Sequence, residues 1–183
     1  DIGGTFTDLV VVSPDGSVQI AKVVSTPPSY AEAVVAGLEK LGVAGSDIAH
    51  FAHGTTAATN AILTKTGAST GLITTKGFRD VLEIRRGDRG DLFNYWWRPP
   101  EPLVARHNRL AARERIGFDG GIVEPLVEED ITNAVETFKA RGIESIAIVF
   151  LNSFVDDAHE RRAKELAGEL WPEAYVSASA DIV

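Results

Sequence analysis

The sequence contains no cysteine and no methionine among its 183 residues. Without a thiol the chain has no disulfide, no thiolate zinc site and no cysteine nucleophile. Long apolar runs are equally scarce. The longest, Ile146–Leu151, is six residues, against the roughly 20 that a membrane-spanning helix needs. No signal peptide is expected ahead of the first strand. Positive charge is in deficit, with 18 Lys and Arg against 26 Asp and Glu and a net charge of −8. Such a surface repels a phosphate backbone, so neither nucleic acid nor a membrane is expected as a partner. A local loop can still cradle a nucleotide, and a cytoplasmic setting suits the composition. The absent methionine, with Asp1 already inside a motif, leads us to expect a trimmed N-terminus that would have supplied an apolar strand ahead of Asp1. The end at Ile182–Val183 looks equally abrupt, so the sequence reads as one domain, 1–183, from a larger chain.

What remains is an ordinary globular composition, 44% hydrophobic and 24% charged, with 17 glycines. Two β-rich runs, Asp8–Ser13 and Ser17–Val24, flank Pro14-Asp15-Gly16 and predict a hairpin. A helix follows, with Ser29 and Glu32 spaced as a capping box, a stripe of Tyr30, Val34, Leu38 and Leu41, and Gly42 as its stop. A short strand is expected through Ile48–His53, a helix over Ala57–Thr66, a strand over Gly71–Thr75 and a short helix within Gly77–Arg86. Asp88–Asn108 has no period and reads as a long loop of the kind that is functional or interfacial. Two strands around Asp119-Gly120-Gly121, helices over Glu128–Arg141 and Asp156–Leu170, and strands over Ser145–Leu151 and Tyr175–Ala180 complete the pattern. Alternating helices and strands after an opening hairpin predict an α/β fold with a mixed sheet.

The opening octapeptide, Asp1-Ile2-Gly3-Gly4-Thr5-Phe6-Thr7-Asp8, has the parts of a phosphate site. Paired glycines allow positive φ and let backbone N–H groups approach an anion. Thr5 and Thr7 bring hydroxyls. Asp1 and Asp8 bracket the turn with carboxylates suited to Mg²⁺. The turn leads into a strand, unlike a P-loop. No G-x-G occurs, and Val43 stands where a Walker lysine would follow Gly37 and Gly42. A strand, a glycine-rich turn and a second strand are the arrangement of the actin and sugar-kinase ATPases, where loops from two domains clamp the phosphates.

Three segments in order carry a more specific resemblance: DIGGTFTD, His53–Ala61 (HGTTAATNA) and Gly71–Ile84 (GLITTKGFRDVLEI). Glu124-Pro125-Leu126 and Phe150–Arg162 (FLNSFVDDAHERR) continue it. Together they resemble the N-terminal domain of the hydantoinase A/5-oxoprolinase family, whose members include the ATP-using subunits of acetone and acetophenone carboxylases. The resemblance implies the N-terminal part of an actin-like, ribonuclease H-like ATPase domain. It implies ATP and Mg²⁺ as cofactors, a cyclic amide of the hydantoin or 5-oxoproline type as substrate, and a second subunit or a homo-oligomer as partner. It places Gly3, Gly4, Thr5, Thr7, Gly54 and Thr56 at the nucleotide, Asp1 and Asp8 at the metal, and Asp8, His53 and Thr55 in the chemistry. Because actin-type sites need phosphate loops from both halves, weak or absent ATPase activity is expected of these 183 residues alone.

Other patterns carry less. His53-Gly54-Thr55-Thr56 sits where a strand should enter a helix, an anion-friendly position that Thr55 or Thr56 could equally serve by capping; Thr59 and Asn60 extend its polar face. Gly67-Ala68-Ser69-Thr70-Gly71 matches the hydrolase elbow in letters, but it follows a helix and opens a strand, the reverse of that geometry. His159-Glu160 starts like a zincin helix, yet Ala163 replaces the second histidine, so the pair is expected to decorate a solvent-facing helix start. His50 and His53, on a strand, would point to opposite faces. Arg85, Arg86 and Arg89 suit oxyanions or a solvated charge run equally. Tyr95-Trp96-Trp97 is expected to be buried under its loop or at a subunit contact.

Overall fold

A computed structural model of the chain describes residues 1–182, with all of their side chains except that of Ala57. It divides into two compact units, Asp1–Gly67 and Ala68–Val183.

In the first unit, strands β1 (Phe6–Val12) and β2 (Val18–Val24) pair antiparallel, with Val12 opposite Val18 and Phe6 opposite Val24. The turn forms because Gly16 takes φ 83° and the Ser17 amide donates to Asp15 Oδ1 at 2.9 Å. Helix α1 (Tyr30–Leu41) packs on this hairpin. Leu9 sits against Gly37, where an added Cβ would lie 2.2 Å from Leu9 Cδ1. The helix stops at Gly42 in the left-handed conformation, as expected. Its start differs: Ser29 makes no side-chain cap. Thr26 Oγ1 instead accepts the Ala33 amide at 3.1 Å and donates to the Ser29 carbonyl at 2.6 Å. The expected strand over Ile48–His53 is absent; a 3-10 turn at Gly45–Asp47 leads into irregular backbone. Helix α2 (Ala57–Thr64) closes the unit.

The second unit carries a four-stranded parallel sheet in the order β4-β3-β7-β8. Its strands are β3 (Thr70–Thr75), β4 (Arg109–Ala112), β7 (Ser145–Val149) and β8 (Tyr175–Ala178). Between them lie the short α3 (Val81–Ile84), the ribbon of β5 (Arg115–Ile116) and β6 (Ile122–Glu124), and helices α4 (Glu128–Ala140) and α5 (Ala158–Leu170). Ile131, Val135 and Phe138 recur at helical spacing on α4 and are buried, with Ala163 and Ala167 of α5, against Ile73, Ile146 and Ile148. Gly71 lets the Phe138 ring lie flat on β3, where a Cβ would meet it at 2.6 Å. The α/β class holds, but the strands do not join in one mixed sheet: the hairpin is a sheet of its own. The order also shows that the chain leaves β3 for one edge and later returns past it to the other.

Candidate functional site

Backbone pairing brings the glycine turn and the His53-Gly54-Thr55-Thr56 segment together. Ile2 is buried and bridges both ways. Its amide donates to the Gly54 carbonyl at 2.9 Å, and its carbonyl accepts the Thr56 amide at 3.1 Å. On its other side, Asp8 N donates to Asp1 O and Gly3 N to Phe6 O, each at 2.9 Å. These bonds fold Gly3–Phe6 into a tight turn beside the start of α2.

The glycines are needed for space. Neither adopts positive φ, contrary to the sequence expectation. A Cβ on Gly3 would lie 2.9 Å from the Phe6 carbonyl oxygen, and one on Gly4 the same distance from Asn60 Nδ2. Gly4 and Thr5 are exposed, and their N–H groups have no protein acceptor among the described residues. Two adjacent exposed amides without a protein acceptor are donors that an anion could take up.

The supporting bonds are equally specific. Ser25 Oγ donates to Gly3 O at 2.7 Å, and the Ser25 amide to Thr5 O at 3.0 Å. The Thr7 hydroxyl is buried and lies 3.0 Å from Ser25 Oγ. Since Ser25 spends its proton on Gly3, Thr7 donates to Ser25 and holds the turn from behind. Thr7 was expected at the nucleotide; Ser25 escaped notice because it lies 18 residues on and joins the turn only once the hairpin has formed. Thr55 and Thr56 hydroxyls lie 3.4 and 3.5 Å from the Ile2 carbonyl, long contacts from which a hydroxyl can rotate. Thr56 is the N-cap of α2 without a side-chain cap bond; its Oγ1 accepts from Asn60 Nδ2 at 3.2 Å.

The carboxylates differ. Asp1 is exposed, with Gly54 beside its side chain. Asp8 is engaged by Lys22 at 2.9 Å, and the same ammonium stands 5.3 Å from the Phe6 ring centre. Mg²⁺ takes one or two carboxylates and completes its shell with water and substrate phosphates. Asp1 fits that demand directly, while Asp8 would first have to give up Lys22. No cluster of three metal-binding side chains occurs among the described residues. His53 is exposed and stacks on Phe51, with ring centres 6.1 Å apart. Asp1, Asp8 and His53 line one groove of about 390 Å³ together with Leu9, Val34 and Leu38.

The second unit holds a buried polar cluster at the carboxyl ends of its strands. Glu114 is fully buried, accepts from the Thr75 hydroxyl and lies 2.9 Å from His159 Nδ1. Glu160, equally buried, accepts the Phe150 amide at 2.7 Å, the Ser179 hydroxyl at 2.7 Å and the Ala180 amide at 2.8 Å. His159 and Glu160 therefore do not decorate a solvent-facing helix start; they lock the first turn of α5 to the sheet. In the long loop Tyr95 and Trp96 are exposed, so they are not buried under the loop and the subunit-contact alternative stays open; Arg85, Arg86 and Arg89 are exposed too, as a solvated charge run would be.

The chain is thus of the α/β class, opening on a glycine turn with two exposed amides beside a helix start. The profile of the hydantoinase/oxoprolinase N-terminal region matches residues 1–171. The chain belongs to this family. It is 34% identical to caprolactamase subunit alpha of Pseudomonas jessenii, covering all of this chain and 28% of that one. It is also 34% identical to the acetophenone carboxylase gamma subunit of Aromatoleum aromaticum, over 96% of this chain and 26% of that one. Among solved structures, nucleotide-free acetone carboxylase superposes with a TM-score of 0.84 at 29% identity, and ATP-dependent caprolactamase from Pseudomonas jessenii with 0.81 at 32%. Each superposition covers 98% of this chain and 28% of the other. The chain thus spans little more than a quarter of each of these relatives. No helix among the described residues is long and apolar enough to cross a membrane.

Proposed function

We propose that this chain supplies one phosphate-binding jaw of an ATP- and Mg²⁺-dependent enzyme that opens a cyclic amide of the hydantoin or 5-oxoproline type. The observation that carries this reading is the pair of exposed, unpartnered amides at Gly4 and Thr5, held against α2 by Ile2. Gly3, Gly4 and Thr5 would receive the terminal phosphates, Thr56 and Gly54 would form the adjoining wall, and Asp1 would hold the metal. A bound Mg²⁺ supplies charge neutralisation during phosphoryl transfer. Ring-carbonyl phosphorylation turns the amide into an activated imidate open to water. Thr7 and Ser25 position the turn without touching nucleotide. We read the whole-protein fold as actin-like, with residues 1–183 as its N-terminal part and the second jaw outside them.

A second reading, the ATP-using subunit of a ketone carboxylase, is favoured by the likeness to acetone and acetophenone carboxylases. The fold and phosphate turn would be the same, with the activated group meeting a carbon nucleophile in place of water. In either case the working enzyme would include a second subunit.

The discriminating assay is ADP release by the full-length protein with its partner, given hydantoins, 5-oxoproline, or acetone with bicarbonate. Turnover stimulated by a cyclic amide supports the first reading, and stimulation by ketone with bicarbonate alone replaces it with the second. Robust ATPase activity from the 183-residue chain alone would contradict the two-jaw arrangement. Full-length Asp1→Ala with unchanged turnover would remove Asp1 from the metal site.

A further inference from the structure

The loop that follows α3 displays aromatic rings to solvent. Phe93, Tyr95 and Trp96 are 90%, 95% and 85% exposed. Three aromatic side chains open to that degree present on the order of 500 Å² of apolar surface. That equals the largest apolar patch of a typical monomer and is over half of the ~800 Å² each partner brings to a stable interface.

The display is built into the loop. Asp91 Oδ1 accepts the Phe93 amide at 3.1 Å, Asn94 Oδ1 accepts the Trp96 amide at 2.9 Å, and the Trp97 amide donates to the Asn94 carbonyl at 3.1 Å. Trp97 is half-buried and folds onto Gly90, where an added Cβ would lie 3.2 Å from its indole Nε1. The stem is pinned by ion pairs. Asp80 takes the Arg106 guanidinium at 2.8 and 2.9 Å, and buried Arg109 reaches Glu83 at 3.2 Å and the Val104 carbonyl at 2.9 Å. A loop held in this way gives up little further freedom on association. Its charge is also distinct: Arg85, Arg86, Arg89 and Arg98 outnumber Asp88 and Asp91, in a chain whose net charge is −8.

We propose that the loop 85–98 is the docking element for the second subunit, whose matching surface is an apolar pocket edged by carboxylates. This rests on the reading above that the working enzyme includes such a subunit. Trp, Tyr and Arg are the residues that concentrate binding energy at protein interfaces. The rings fill the pocket, and the arginine forks pair with carboxylates at its edge. A second copy of this chain suits the loop less well. The groove beside Phe154 and Val155 has apolar walls, but its rim carboxylates are in use: Asp119 holds the Gly121 amide, Asp156 the Ala158 amide and Asp157 the Arg161 guanidinium. An anionic lipid surface would meet four arginines only against the repulsion of an acidic chain.

The test uses the full-length protein. Tagged parent protein captures the second subunit, which is separated, identified by mass and added back at known concentration. Hydroxyl-radical footprinting then reads Phe93, Tyr95 and Trp96 with and without it. The expected result is rapid oxidation in the full-length protein alone and several-fold slower oxidation in the complex. The double variant Tyr95→Ser/Trp96→Ser alters exposed side chains only, so it should keep the parental melting temperature while binding the subunit about 30-fold or more weakly. Protection already present without the subunit would overturn the proposal, because the remainder of the chain or a second copy would then cover the loop. Protection by anionic vesicles and not by the subunit would overturn it too. A complex that forms equally well with the double variant removes this surface and leaves the two-subunit reading standing; no complex with the parent removes both.

Discussion

The Ile2 carbonyl and the Thr56 amide meet at 3.1 Å, tying the residue that leads into the glycine turn to the residue that caps α2. Two segments more than fifty residues apart are thereby fixed to a single backbone register. The turn cannot shift without moving the helix start, so the site is sensitive to small volume changes.

Gly4 offers the sharpest probe. In full-length protein, Gly4→Ala should lower ATP-dependent turnover by about tenfold, the equivalent of roughly 1.4 kcal/mol, because its Cβ would meet Asn60 Nδ2. Asn60 is a flexible side chain, so adding Asn60→Ala should recover much of the loss. Gly3→Ala meets the Phe6 carbonyl, a backbone atom, and the Asn60 change should not rescue it. Steady-state kinetics and calorimetric ATP titration of the four proteins check this.

Glu160 should prove a stability residue. Glu160→Ala strips three donors, Phe150 N, Ser179 Oγ and Ala180 N, of their acceptor in the interior. A loss of about 3 kcal/mol is expected, read from denaturant unfolding. Glu160→Gln keeps one acceptor oxygen and should lose less. Equal stability of Glu160→Ala and the parent would refute the anchoring role.

Asp130 should give the second unit an acid limb. Hydrogen bonds from the Arg113 guanidinium, at 2.7 and 2.8 Å, hold its carboxyl below the usual aspartate range. As pH falls past about 4 the unfolded chain takes up this proton first. The contribution is therefore complete above that pH and is lost as pH drops through the lowered native value. Asp130→Asn should reduce stability at pH 7 and narrow the difference from the parent in acid. Unfolding midpoints across that range provide the measurement.

Local signals made much of the fold readable. Pro14-Asp15-Gly16 set the hairpin, and Ile131, Val135 and Phe138 set the buried face of α4, because turn chemistry and helical period act over a few residues. The glycine turn was found for the same reason, although crowding by Phe6 and Asn60 explains its glycines better than φ does. What escaped depends on distant partners. His159 and Glu160 look like surface residues until Glu114 and Ser179 arrive from other strands. β4 hides in a polar stretch because Arg109, buried there, sends its guanidinium to Val104 O and Glu83. The 48–53 segment has a strand's composition but no ladder of its own, so its pattern alone misled.

The order β4-β3-β7-β8 also carries a consequence in time. β3 pairs with β7 across 75 residues, as the Thr70–Ser145 contact records. At ribosomal speeds of roughly 5–20 residues per second, the apolar face of Gly71 and Ile73 waits several seconds before β7 is made. The hairpin pairs within its own neighbourhood and has no such delay. A nascent chain of this design therefore carries one early-folding piece followed by an exposed sticky strand, and the second unit is the stretch over which a holding chaperone would matter during synthesis.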